Sequence, residues 1–104
     1  MVILSRRLKD RMSWRQEPVT RYISRGVKND TAAFEEAVKG NWESARVFYE
    51  QAVKDDPDNP RAWNNLAIAY EQAGLAEEAV EAFNNAHRLG PDDATVRRNR
   101  TSQP

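Results

Sequence analysis

The stretch PRAWNNLAIAYEQAGLAEEAVEAFNNAHRLGP, residues 60–91, decides the fold. Trp63, Leu66, Ala67 and Tyr70 fall at spacings of three and four, so they share one face of a helix expected from about Arg61 to Ala73. Gly74 ends that helix by supplying the left-handed backbone that helix C-termini favour. A second helix, from about Ala76 to Leu89, presents Ala79, Phe83 and Ala86 on one face, and the two alanines are small enough to let the pair approach closely. Gly90-Pro91 stops it.

Working outward, the chain repeats itself. A shift of 34 residues aligns Ala33 with Ala67, Gly40 with Gly74, Glu43 with Glu77, Ala45 with Ala79, Tyr49 with Phe83, Ala52 with Ala86 and Pro57-Asp58 with Pro91-Asp92. A first unit is therefore expected over about Thr31 to Lys39 and Trp42 to Lys54, with Asp55 to Pro60 as the turn into the second. Asn59 is placed to cap the next helix, with Pro60 at its first position, where a missing N–H costs nothing.

These residues resemble the tetratricopeptide repeat, whose pattern reads W-x2-L-G-x2-Y, then A-x3-F, then P. The second unit matches it with Trp63, Leu66, Tyr70, Ala79, Phe83 and Pro91, Ala67 standing for the glycine. The first keeps Ala45, Tyr49 and Pro57 but has Asn29, Ala32 and Glu36 at the Trp, Leu and Tyr positions, so its front helix is weakly specified. A third unit opens at Ala94, with Arg97 and Arg100 at the Trp and Leu positions, and reads as a short polar cap. The resemblance covers about residues 29–93. It implies an all-α fold, a right-handed superhelical stack of antiparallel helix pairs with about four main helices, a short C-terminal cap helix and a basic N-terminal segment. The expected division is an arm over 1–28, repeats over about 29–59 and 60–93, and a cap and tail over 94–104.

The 104 residues allow one domain, and 39% hydrophobic against 31% charged residues suits a folded globular chain. There is no cysteine, which excludes disulfides and thiolate metal sites, and the single His87 makes no metal cluster by itself. No run approaches the roughly 18 to 20 apolar residues of a membrane span, and Val2 to Leu4 is too short for a signal peptide, so a cytoplasmic location is expected.

The zero net charge conceals an asymmetry. Arg6, Arg7, Lys9, Arg11, Arg15, Arg21, Arg25 and Lys28 face only Asp10 and Glu17 in the arm, whereas fourteen acids between Asp30 and Asp93 face five bases. Leu4, Leu8 and Met12 lie four apart, Ser5 can cap and Pro18 would end a helix, so the arm is expected to be flexible or a short amphipathic helix. It reads as a leader attracted to its own acidic body; the alternatives are a tether to nucleic acid or anionic membrane, with Trp14 or Tyr22 stacking, and a transit peptide.

In the family resembled, the first helix of each pair lines a concave groove that meets the ligand. Carried over by position, the groove residues are Asp30, Thr31, Phe34, Ala37 and Val38 in the first unit, and Arg61, Asn64, Asn65, Ile68, Glu71 and Gln72 in the second. Phe34 and Ile68 offer apolar contact or pack against a neighbour; Asn64 and Asn65 are suited to the backbone of an extended peptide. Only Asn65 matches the subclass that clamps chaperone-tail carboxylates: Asp30 and Phe34 replace the first-unit lysine and asparagine, and Thr95 and Asn99 stand where cations would come from a third unit. Asp30 and Glu71 favour a neutral or basic ligand, the arm of another copy being one candidate. Trp42, Trp63, Tyr49, Tyr70 and Phe83 are expected in the core, His87 as a partly buried structural residue, and Glu77-Glu78-Glu81 as a solvated face.

Two repeats leave both ends of the stack poorly covered, since about three units are ordinarily needed. Three helpers are open: the arm folding onto the first unit, the segment after Ala94 capping the second, or association of two chains. No phosphate loop, H-E-x-x-H or nucleophile–base pair is present, so neither catalysis nor a cofactor is expected. The leading reading is an interaction module for a protein or peptide partner, and the runner-up is a self-assembling homo-oligomer.

Overall fold

The computed structural model describes residues 2–7, 18–24, 27 and 30–101. Helices α1 (Thr31–Val38) and α2 (Trp42–Asp55) form one antiparallel pair, α3 (Pro60–Gln72) and α4 (Ala76–Leu89) the next, and α5 (Ala94–Thr101) follows. Each α-helix packs on its neighbour in the chain, with the largest interface between α3 and α4.

The punctuation acts as its chemistry dictates. Gly40 and Gly74 lie at φ +83° and +85°, the left-handed region that a side chain disfavours. Asn59 accepts from the Arg61 amide at 3.0 Å, with Pro60 opening α3. Gly90 works differently: its φ is −139°, and a Cβ there would stand 2.6 Å from Cγ of Pro60. It ends α4 where the chain passes too close to the first residue of its own pair partner, α3, for a side chain.

The core runs through Ala33 and Ala37 of α1, Ala45, Tyr49 and Val53 of α2, Ala62, Leu66, Ala67, Ile68 and Ala69 of α3, and Ala82 and Phe83 of α4. Trp42, Trp63 and Tyr70 pack against its margin. The indole N–H of Trp63 donates to the Pro57 carbonyl at 2.7 Å, and the Tyr70 hydroxyl to Glu50 at 2.9 Å. Burial, then that carboxylate, push the Tyr70 hydroxyl up to about 12. His87 is half-buried and Glu77, Glu78 and Glu81 are exposed.

The arm departs from expectation. Where a flexible segment or a short amphipathic helix is expected, residues 2–7 and 18–23 form two antiparallel strands, β1 (Val2–Arg7) and β2 (Pro18–Ile23), with Val2 opposite Ile23 and Arg7 opposite Pro18. Val2, Ile3, Val19, Thr20 and Ile23 are β-branched and favour a pleated backbone, and Pro18 is tolerated at the first residue of a strand. Leu8 and Met12, which carried the helical spacing, lie outside the described residues. One of the three open helpers sets the arm on the first unit; β2 packs on α3 of the second unit and on α5 of the cap.

The cap after Ala94 is built. Asp93 accepts from the Thr95 and Val96 amides at 3.0 and 3.1 Å and from Arg61 at 2.9 Å, and Val96 is buried. Desolvation opposes ionisation of Asp93, but the Arg61 hydrogen bond and the two amides outweigh it and hold the carboxyl below its ordinary range. Arg61, expected at the groove, is thereby engaged in tying α3 to the start of α5.

Candidate functional site

An asparagine side chain carries an amide NH2 and a carbonyl oxygen in the geometry of a peptide group, so it can pair with a strand as another strand would and keep one N–H for a further partner. Asn64 and Asn65 on α3 and Asn99 on α5 are all fully buried, and all face β2 and the residue that follows it. Asn65 makes a two-point pairing with Ser24: its Nδ2 donates to the Ser24 carbonyl at 2.9 Å and its Oδ1 accepts from the Ser24 amide at 2.9 Å. Two residues earlier, the Tyr22 amide donates to Oδ1 of Asn99 at 2.7 Å, and the Tyr22 carbonyl accepts from Asn64 at 3.0 Å and Asn99 at 2.9 Å. The three amides are joined to one another, Asn99 donating to Asn64 and Asn64 to Asn65. Alternate residues of a strand point their backbone groups the same way, which is why Tyr22 and Ser24, two apart, both meet this row.

One side chain of the strand is read as closely as its backbone. Arg21 is fully buried, and its Nε and a terminal nitrogen reach the two carboxylate oxygens of Glu71 at 2.9 and 2.8 Å. Its guanidinium carbon stands 5.2 Å from the centroid of the Phe83 ring. A planar, weakly hydrated cation fits a carboxylate fork beside an aromatic wall, and a compact ammonium does not fill the same geometry. Ile23, with 1% of its surface exposed, enters the hydrophobic core that includes Ile68, and Ser24 is buried. Arg98 of α5 lies 5.5 Å from the centroid of the Tyr22 ring.

Of the residues expected at the groove, Asn64, Asn65 and Glu71 gather round β2. Ile68 and Ala37 are core residues, Phe34 is half-buried against that core, and Asp30 is 8% exposed, its backbone closing the turn from Val27 into α1. Thr31 and Val38 are exposed and Gln72 is half-buried. Three contributors were not foreseen: Asn99, Phe83 as a wall of the site, and Arg21 as its occupant. Asn99 was within reach of the sequence, because it stands 34 residues after Asn65 and so at the same position of the next unit.

The family model for the tetratricopeptide repeat matches residues 39–99, more than half of the chain. The chain belongs to the tetratricopeptide repeat family. Superkiller protein 3 of Schizosaccharomyces pombe is 37% identical over 57 residues, which is 55% of this chain and 4% of that protein. The TPR repeat-containing thioredoxin TTL4 of Arabidopsis thaliana is 38% identical over 56 residues, 54% of this chain and 8% of the relative. The protein O-mannosyl-transferase TMTC3 of Mus musculus is 34% identical over 53 residues, 51% of this chain and 6% of the transferase. This tetratricopeptide repeat chain thus spans less than a tenth of each of these relatives, and their catalytic names do not pass to it. Tetratricopeptide repeats generally mediate protein–protein interaction. Among the described residues, no helix is long and apolar enough to cross a membrane.

Proposed function

We propose that this tetratricopeptide repeat protein is a non-catalytic interaction module whose concave face takes an extended segment of a protein backbone-first. The observation that carries this reading is the pairing of Asn64, Asn65 and Asn99 with the backbone of residues 22–24. Those contacts address peptide groups that every extended chain has, so the surface suits strands in general, and the resident β2 is one such strand. A partner segment engages it by taking the place of β2.

The test compares affinity capture with wild-type chain, Asn65→Ala and Glu81→Ala, the last on the exposed side of α4. Proteins retained by wild type and Glu81→Ala but lost with Asn65→Ala are groove partners. Equal retention by all three chains moves the interaction off the concave face.

A second reading has its own observation. Val47 and Phe48 on α2 and Val80 on α4 are 54%, 42% and 52% exposed, an apolar character suited to association of two copies away from the groove. Sedimentation of wild type and Phe48→Ser over a range of concentrations decides it: a dimer abolished by the substitution supports self-assembly, and a monomer throughout removes it.

A further inference from the structure

The backbone clamp alone has no preference among sequences, yet the groove also holds a fully buried cation in a fitted place. We propose that the concave face selects an arginine-bearing extended segment of a partner protein, of the form arginine, any residue, a branched apolar residue, then serine or another small residue, and that Arg21-Tyr22-Ile23-Ser24 is the chain's own tethered version of that ligand. This inference rests on the groove reading above and names the class of segment the groove prefers.

Each position of the pattern follows from what the strand meets. Arginine is required because Glu71 accepts through both oxygens from Nε and a terminal nitrogen, a fork that a lysine cannot copy, and because the guanidinium lies by Phe83. The second position contributes only its amide and carbonyl to Asn99 and Asn64, while its side chain, Tyr22 here, is half-buried beside Arg98 and is open to choice. The third is buried to 1% within the hydrophobic core and takes a branched apolar group. The fourth is buried to 3% beside Asn65, which leaves room for a small residue only.

The chemistry of the contact argues for recognition beyond mere closure of the fold. A buried ion pair and a row of buried amides stabilise a fold little more than apolar packing of the same volume would, whereas they discriminate sharply among occupants, because a wrong one leaves Glu71 or an asparagine unpaired. A tether supplies β2 at an effective concentration on the order of mM, so a partner binds only as far as it outcompetes that supply.

Fluorescence anisotropy with a labelled peptide of residues 18–24, Pro-Val-Thr-Arg-Tyr-Ile-Ser, tests this on the full chain. Wild type is expected to bind weakly. The Arg21→Ala chain, in which the resident strand has lost its anchor, binds at least about tenfold more tightly. Against that chain, peptides carrying Arg21→Lys or Arg21→Ala lose about tenfold or more, and a Glu71→Gln substitution added to it erases the difference between arginine and lysine. Should Arg21→Ala fail to fold, Tyr22→Pro serves, since it removes the amide that donates to Asn99 and leaves every groove side chain in place. Equal binding of the arginine, lysine and alanine peptides overturns the arginine preference while the backbone-clamp reading stands. No binding of any peptide to either released chain overturns both.

Discussion

Arg21 and Glu71 show at residue scale how little a contact distance says about net stability. Taking both charges out of water costs several kcal/mol per ion, and their attraction offsets this only because the fork geometry is good and the carboxylate keeps 13% of its side-chain surface exposed. Removing one partner strands the other. Glu71→Met is expected to destabilise the chain by roughly 3 kcal/mol or more, because a guanidinium remains buried, and Arg21→Met by less, because Glu71 can take up water. The double variant should recover most of the loss in urea unfolding, and a double variant as unstable as the sum of the singles would show that the pair is not coupled. Tyr70 gives a second prediction with a definite sign. Its folded pKa of about 12 exceeds the usual value of about 10, so its contribution is complete below about pH 10 and vanishes as pH rises through the folded value. Wild type should be more stable than Tyr70→Phe at neutral pH by about 1 kcal/mol, the worth of the hydrogen bond to Glu50, and the gap should close between about pH 10 and 12. A gap unchanged at the alkaline end would place the ionisation elsewhere.

At the scale of elements, the sequence was most legible where local and tertiary demands coincide. Helices α2, α3 and α4 end within a residue or two of the sequence expectation, because Asn59-Pro60, Gly40, Gly74 and Gly90-Pro91 mark boundaries that the apolar spacing also requires. The first helix of the first unit lacks the Trp, Leu and Tyr anchors and forms as eight residues built on Ala33 and Ala37. The strand pair was not legible, since a spacing of four among Leu4, Leu8 and Met12 competes with β-branched runs, and what favours the strand is a partner distant in sequence. The same reason hid half of the site: Asn64, Asn65 and Glu71 lie on a helix face that repeat position identifies, whereas nothing near Arg21 announces that it meets a residue fifty positions on. The link between element and site is α5, whose Asn99 reaches β2 only while its first turn is held. Asp93→Asn keeps the capping oxygen but removes the charge paired with Arg61. The Asp93 pKa is depressed in the fold, so its contribution is present above about pH 3.9 and lost as pH falls through the lower folded value. Wild type should therefore exceed Asp93→Asn in stability at pH 7 and converge with it near pH 2 in urea titrations, and parallel curves across that range would sink the assignment.

For the whole molecule, the question is what covers the open face of the second helix pair within this chain, since each repeat in such a stack leaves an apolar face for a neighbour. In place of a third helix pair, α5 covers α4 and part of α3, and β2 lies across α3 and α5. Deleting residues 1–24 would uncover Asn64, Asn65 and Asn99, take Ile23 out of the core and leave Glu71 without the Arg21 fork. Losing one buried isoleucine alone is worth about 1.5 to 3 kcal/mol, a large part of the 5 to 15 kcal/mol that holds a typical domain together. The truncated chain is expected to melt on the order of 10 °C or more below the intact one in a calorimetric scan. If β2 acts as a docked ligand, its loss is also reversible by mass action: a peptide of residues 18–24 at about 100 times its Kd should return about 2.7 kcal/mol and raise the melting temperature in step with its concentration. A truncated chain that melts where the intact one does would mean that the strand rests on a fold already complete. One that melts lower but ignores the peptide would mean that the strand pair stabilises only as a covalent part of the chain, and that binding and folding are separate events.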